Sequence, residues 1–292
     1  MLILAHPEPG EECLVRTGPA REAIVSWNTL ALEGALDVRV NAHDGRTSAW
    51  LPYVAFSANR RASLDGRDSF VRFETDVLRS DVDFGSLGLR SQGPLDALYV
   101  STPDYGAPSP IVALPALELD VAPFSQYEPA YPLERNWCAP AALAMLLAYR
   151  SFPVDVPIVA REVFDTLYGG TGNWTFCAAF AATLGFRAAV LHLRDLAHAH
   201  AFLADDIPLA LSIAWKAGEL AGAPLPNSDG HLVVLRGIDE NGAALVNDPA
   251  QPTVRTVYAR GAFERAWLGH GGVAFAIAPA TLGESLVRIA NA

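Results

Sequence analysis

The chain has 292 residues, a formal net charge of −11, and 51% hydrophobic against 18% charged residues. That balance describes one large or two ordinary well-cored domains and excludes a disordered chain. There is no Lys/Arg cluster, so nucleic acid and anionic membrane surfaces are poor partners. No apolar run reaches the roughly 18 residues that cross a bilayer. The opening residues, Met1 to Pro7, lack a basic region and have too short an apolar core for a signal peptide. A cytoplasmic protein is expected, although a trimmed secreted chain would start the same way. Cys13, Cys138 and Cys177 are an odd number at scattered positions. They form no disulfide framework and no metal-ligand spacing, so neither metal nor cofactor is expected.

Residues 1–20 carry Pro, Gly and Glu with no clear period and read as an arm or an irregular first strand. From Ile24 the pattern turns to strands. Leu36, Val38 and Val40 alternate with Asp37, Arg39 and Asn41, the period of a half-buried strand. Trp50 to Phe56, Phe70 to Leu78 and Leu95 to Val100 read as further strands, with turn signals at Asp44-Gly45 and Asp65-Gly66. Short strands spaced by turn chemistry predict an all-β sandwich. Trp27 and Trp50 could offer a sugar-stacking platform, but core or edge packing is the stronger reading for strand aromatics. The Pro/Gly/Ser cluster from Thr102 to Pro110 breaks all periodicity. It divides the chain into an accessory sandwich at 1–108 and a second domain at 109–292.

The second domain is organised around Asn136-Trp137-Cys138-Ala139-Pro140 and the apolar run to Tyr149. The only proline lies in the first turn, where a missing N–H costs nothing, and the run is apolar nearly all round, as in a buried helix. A cysteine at such a helix start lies near the positive end of the helix dipole and unpaired N–H groups, which favour the nucleophilic thiolate. The competing reading is a small buried hydrophobe. Val159 to Tyr168 reads as a second helix. Gly169 to Trp174 is glycine-rich, but it lacks the Lys-Ser/Thr ending and preceding strand of a phosphate loop. It reads instead as a loop lining a cleft with Trp174 as a wall. Thr175 to Leu184 is a helix that buries Cys177 among apolar neighbours, which raises a thiol pKa.

Phe186 to Leu193 and Ile207 to Trp215 read as strands, and Asp195 to Ala204 as a helix. His198 and His200 point to different sides of that helix, cannot share a metal, and are expected at the surface. A polar loop over 222–230 leads into the nearly continuous apolar strand His231 to Ile238. Asp239-Glu240-Asn241-Gly242 is a hairpin turn, and Ala243 to Val246 returns before Asn247-Asp248-Pro249. An antiparallel return places Asp248 at the same end of the sheet as His231, in a register the turn must fix. Val254 to Tyr258, Gly261 to Leu268 and Gly272 to Ile277 complete the pattern as strand, helix and strand.

Cys138, His231 and Asp248 are the three residue types of a thiol-dependent acyl transfer: nucleophile, base and orienting carboxylate. Singly, His231 could be an ordinary strand residue and Asp248 a turn former. Their order, with a helix followed by a hairpin, favours catalysis.

At this point the chain resembles the papain-fold cysteine peptidases of the bacteriocin-leader-processing type, family thirty-nine of the cysteine-peptidase series, in a soluble bacterial form. The matching pieces are Asn-Trp-Cys-Ala-Pro at 136–140, Tyr-Gly-Gly-Thr-Gly-Asn-Trp at 168–174 and Leu-Gly-Phe-Arg-Ala at 184–188. Gly-His-Leu-Val-Val at 230–234 and Val-Asn-Asp-Pro-Ala at 246–250 complete them. The ordered set, not any single motif, carries the resemblance. It implies an α+β papain-like cysteine peptidase domain preceded by the all-β sandwich. It also implies Cys138 as nucleophile, His231 as base, Asp248 as orienting residue and an upstream glutamine, for which Gln126 is the candidate, as oxyanion donor beside the Cys138 N–H. Trp137, Tyr168 and Trp174 are candidate substrate-binding aromatics, and Trp215 could line the same cleft. The expected substrate is a peptide or small amide. The same triad would serve an acyl or amide transferase if an amine replaced water, and a non-catalytic binding protein using the β domain is the third reading.

Overall fold

The computed structural model describes residues 1–57, 60–103, 112–128, 131 and 136–292. The Pro/Gly/Ser cluster on which the domain boundary was placed falls largely at 104–111, outside the described residues.

The first part is built from β1 (Leu2–Ala5), β2 (Glu12–Asn28), β3 (Gly34–Ala42), β4 (Leu51–Ser57), β5 (Arg60–Ser63), β6 (Val71–Glu74), β7 (Val77–Ser91) and β8 (Ala97–Ser101). They form one antiparallel sheet in the order β1-β8-β2-β7-β3-β4-β5, with β6 on β7. The strands are joined in one continuous hydrogen-bonded sheet because β2 and β7 are long: β2 pairs with β7 and β8, and β7 with β2, β3 and β6. Register breaks between Arg16 and Ala20 and between Ala20 and Glu22 bend the β2–β7 pair without ending it. The supposed arm thus contains β1 and half of β2. The single strand expected over 70–78 is a hairpin: Thr75 adopts φ 59, a left-handed conformation that turns β6 into β7. Trp27 is core, stacked on Phe56 at 5.9 Å and edge-on to Phe176 at 5.8 Å. Trp50 is an edge residue held between the guanidinium groups of Arg39 and Arg90, 4.7 and 4.6 Å from its ring.

The second part contains β9 (Leu117–Glu118), α1 (Cys138–Tyr149), α2 (Val156–Glu162), α3 (Trp174–Thr183), β10 (Phe186–His192), α4 (Leu196–Ala204), β11 (Leu209–Trp215) and β12 (Ser228–Ile238). It continues with β13 (Ala244–Asn247), β14 (Arg255–Tyr258), α5 (Arg260–Leu268), β15 (Val273–Pro279) and α6 (Gly283–Ala290). Its sheet has the order β10-β15-β11-β12-β13-β14, with β9 on β12. The helix α1 packs on β12 and is buried from Ala139 to Leu147, as its unbroken apolar sequence requires.

The two sheets meet at the free edge of β10. An edge strand turns every second N–H away from its partner, and leaving such a group buried and unpaired is costly. Here the Ala188 N–H donates to Asn28 Oδ1 (3.1 Å), Val190 N–H to Ser26 Oγ (3.1 Å) and His192 N–H to Ser101 Oγ (2.8 Å). Asn28 Nδ2 also donates to the Ala188 carbonyl at 2.7 Å. Polar side chains of the first sheet therefore finish the edge of the second, and one hydrophobic cluster runs through both.

His198 departs from expectation. It is buried, and its Nε2 faces the Ile289 carbonyl at 3.1 Å. The reason is α6, absent from the sequence reading, whose Leu286, Ile289 and Ala290 bury one face and cover α4. His200 is half-buried against the Pro115 carbonyl. Among the described residues no helix is long and apolar enough to cross a membrane.

Candidate active site

Cys138 is the first residue of α1. Trp137 precedes it at the cap position without a side-chain cap bond, so the first helical N–H groups remain available near the sulfur. His231 lies within β12, which begins three residues earlier than its apolar run because Ser228 pairs with Trp215 across a bulge in β11. Pairing of Val234 with Asn247 fixes the hairpin register and brings Asp248, just past β13, alongside His231. His231 Nε2 donates to Asp248 Oδ1 at 2.7 Å. Its other ring nitrogen is then left for Cys138, whose thiol is in hydrogen-bonding reach of the imidazole.

The charges follow from these contacts. Burial alone would push the Cys138 thiol up. The hydrogen bond and charge of His231, with the backbone N–H groups of Leu232 and Ala139, outweigh it and hold the thiol below the ordinary range. Burial would likewise depress His231, but the Asp248 hydrogen bond and the Cys138 contact push it up to about 10. Both shifts favour the thiolate and imidazolium forms of the pair. Cys177 has no such partner. Burial, reinforced by Asp76 and Cys138, pushes its thiol far up, as a core cysteine requires.

Asp248 is fully buried and fully satisfied. Besides His231, its Oδ1 accepts the Ala250 N–H at 2.9 Å, and its Oδ2 accepts the Tyr258 hydroxyl at 2.7 Å. Tyr258 in turn receives Gln251 Nε2 at 3.3 Å. Trp215 stands edge-on to the His231 ring at 5.9 Å and donates its indole N–H to the Leu225 carbonyl at 3.1 Å, closing one side of the His–Asp pair. Tyr258 had no signal in the sequence beyond its place at the end of a strand.

Gln126 is buried. Its backbone N–H donates to the Pro249 carbonyl at 2.9 Å, so it sits against the residue after Asp248, and its Oε1 has no hydrogen-bond partner. The three candidate aromatics are dispersed. Trp137 is buried against Tyr131, with ring centroids 5.3 Å apart. Tyr168 is exposed and covers Gly170 and Gly172. Trp174 is half-buried, edge-on to His270 at 6.4 Å, and His270 also faces Gly230 beside His231.

The expected helix over 159–168 ends at Glu162, because the fully buried Asp165 captures the backbone instead. Its Oδ1 accepts the N–H groups of Leu167 (3.0 Å), Tyr168 (3.2 Å) and Ser63 of β5 (3.2 Å), and its Oδ2 accepts Asn173 Nδ2 at 3.1 Å. Asn173 caps α3 through the N–H groups of Thr175 and Phe176. Thr171 Oγ1 donates to the Asn136 carbonyl at 3.3 Å, so the glycine-rich loop is fastened two residues before Cys138. Asp76 Oδ2, from the first sheet, accepts the Trp174 N–H at 2.7 Å. Among the described residues no group of three or more His, Cys, Asp or Glu side chains is gathered as metal ligands would be.

Residues 118–275, just over half of the chain, match the Peptidase_C39 like family. The chain belongs to that family and is a cysteine peptidase, a thiol-dependent hydrolase of papain-like fold. Two similar solved structures cover 56% of the chain. One is described as a C39-like peptidase from Bacillus anthracis, at 18% identity, 97% of its own length and a TM-score of 0.42. The other is a double glycine motif protease from an AMS/PCAT transporter in complex with a leader peptide, at 20% identity, 94% of its length and a TM-score of 0.39. No curated protein matches the sequence.

Proposed function

We propose that this cysteine peptidase cleaves peptide amide bonds through a Cys138-His231-Asp248 triad and an acyl-enzyme intermediate. The observation that carries the reading is the imidazole of His231, held on Nε2 by Asp248 and in reach of the Cys138 thiol at the head of a buried helix. The Cys138 thiolate attacks the scissile carbonyl carbon, and the carbonyl oxygen takes up the negative charge. The backbone N–H of Cys138 is one donor for that oxyanion, and Gln126 is the candidate for the other. The burial of Gln126 beside Pro249 supports its role. The His231 imidazolium then protonates the departing amine, leaving an acyl thioester. Neutral His231 next removes a proton from water, which attacks the thioester and releases the acid and Cys138.

Trp174 and Tyr168 are the better candidates for substrate contact, since both reach the surface on the loop fastened to Asn136. Trp137 supports the helix start from inside. We assign residues 1–108 to an accessory part and 109–292 to the peptidase part. The partition of strands between the two sheets supports that division.

The test is mass spectrometry of the protein with a peptide ester or peptide library, in wild type and Cys138→Ala. A transient adduct on the Cys138 peptide and loss of all hydrolysis in the variant are expected. Hydrolysis that survives Cys138→Ala contradicts the reading, and an amine-capped product at the expense of the free acid makes the chain a transferase.

A further inference from the structure

Tyr258 and Gln251 form a directed chain of hydrogen bonds behind Asp248. Oδ1 of that carboxylate is engaged on the catalytic side by His231 and by the Ala250 N–H. Its Oδ2 would be a bare buried oxygen without the Tyr258 hydroxyl at 2.7 Å. The direction of that bond is fixed. An ionised carboxylate only accepts, so the phenol must donate. Gln251 Nε2 donates to the phenol oxygen at 3.3 Å and to the Gly222 carbonyl at 2.5 Å, which holds the phenol in the donating orientation. Burial pushes the Tyr258 phenol up from its ordinary value and the Asp248 charge pushes it further, which favours the neutral, donating form. Its ring is fully buried and stacked on Phe263 at 6.0 Å with planes 10° apart, which packs the phenol on the Asp248 side.

We propose that Tyr258 is a positioning residue for the reaction: it sets the charge that Asp248 presents to His231, and through it the proton affinity of that imidazole. The proposal rests on the triad assigned above. A carboxylate that donates charge to one strong hydrogen bond has less left for another. The Tyr258 bond therefore tempers the pull of Asp248 on the His231 proton, which must be released to the leaving amine. Without it the full charge of Asp248, still held on Oδ1 by the Ala250 N–H, acts on His231, and the imidazolium binds its proton more tightly.

The experiment uses Tyr258→Phe, which keeps the stacked ring and removes only the hydroxyl, with Gln251→Ala as a second variant that weakens the same bond from behind. For Tyr258→Phe, kcat falls about tenfold, in line with losing one hydrogen bond to a charged group, while KM is unchanged. The alkaline limb of the pH–rate profile moves up, because His231 holds its proton longer. The proton on His231 Nε2, followed by NMR, shifts from its wild-type position. Gln251→Ala moves kcat and the alkaline limb in the same directions by less.

A residue with only a structural role would lower thermal stability and leave the alkaline limb and the His231 resonance in place. That outcome overturns the proposal, as does wild-type kcat in a folded Tyr258→Phe. If wild-type Cys138 itself shows no thiolate at neutral pH, the triad fails and the role of Tyr258 falls with it. If the wild-type pair is present and Tyr258→Phe leaves it unmoved, only the positioning role fails.

Discussion

Replacing Asp248 separates the charge of the carboxylate from its geometry. In Asp248→Ala three buried donors lose their acceptor at once: His231 Nε2, the Tyr258 hydroxyl and the Ala250 N–H. Each unmet buried donor costs about 1–3 kcal/mol, and removing one partner of a buried ionic pair costs about 3–5 kcal/mol. These descriptions overlap, so the expected loss of unfolding free energy is about 4 kcal/mol. Asp248→Asn is different. Its amide oxygen can still accept from His231 and Ala250, and its new NH2 can donate to the Tyr258 oxygen, so only the Tyr258 O–H loses its acceptor. The expected loss is about 2 kcal/mol, one unmet donor and a neutral in place of a charged acceptor. Urea denaturation at neutral pH gives both numbers from midpoint and slope, and hydrolysis by the folded fraction gives the activity order, wild type above Asn and Asn above Ala. Equal midpoints for the two variants, or an Ala variant as active as the Asn variant, would refute the account of Asp248 as a saturated orienting carboxylate.

Two further substitutions test how the first sheet is joined to the peptidase part. Asp76 is buried and pushed up from 3.8 to about 7, first by burial and then by Asp165, against the lowering effect of its bonds to the Trp174 and Thr175 N–H groups. Between pH 3.8 and about 7 the folded chain holds a proton there that the unfolded chain has lost, so stability falls as pH rises across that window. Asp76→Asn keeps an acceptor for Trp174 and removes this fall. The variant should match wild type near pH 4 and exceed it at pH 8, by at most about 4 kcal/mol. A variant less stable at pH 8 than wild type counts against a buried, high-pKa carboxyl. Asn28→Ala strands both the N–H and the carbonyl of the fully buried Ala188. A loss of about 3 kcal/mol and faster hydrogen exchange at Ala188 are expected, whereas unchanged exchange would mean that the edge of β10 is satisfied in another way.

Elements with strong local signals were legible in the sequence. The unbroken apolar run after Cys138 gave α1, the Asp239–Gly242 turn gave the β12–β13 hairpin, and order along the chain brought Cys138, His231 and Asp248 together as residue types. What escaped depends on distant partners. The chain from Glu12 to Asn28 does not look like one strand, because Gly18 and Pro19 interrupt its period. Pairing with β7 from Glu12 to Ile24 and with β8 from Ile24 to Asn28 holds it extended. The end of α2 was missed because Asp165 takes three N–H groups, one of them from a strand a hundred residues earlier, which no local propensity reveals. His198 was misplaced because α6, at the far end of the sequence, covers it. Tyr258 was invisible for a similar reason: its role exists only once the β13–β14 pairing turns its hydroxyl toward Asp248.

The state of Cys138 is the most direct test of the whole account, and it needs no substrate. In the folded chain the thiol is held low by His231, and His231 is pushed up to about 10. The His231 contribution to stability is complete below its ordinary value of 6.5 and is lost as pH rises through about 10. The Cys138 contribution is complete above the ordinary thiol value of 9.0 and is lost as pH falls through its lowered one, so its slope opposes that of His231 just below 9.0. The measurement is the alkylation rate of each cysteine against pH, resolved by mass spectrometry, in wild type and His231→Ala. The account predicts that Cys138 reacts rapidly near pH 6 in wild type, slows and moves to the ordinary thiol range in the variant, and that Cys177 stays unreactive in both. Cys138 titrating as an ordinary thiol in wild type, with no change on removing His231, would contradict it.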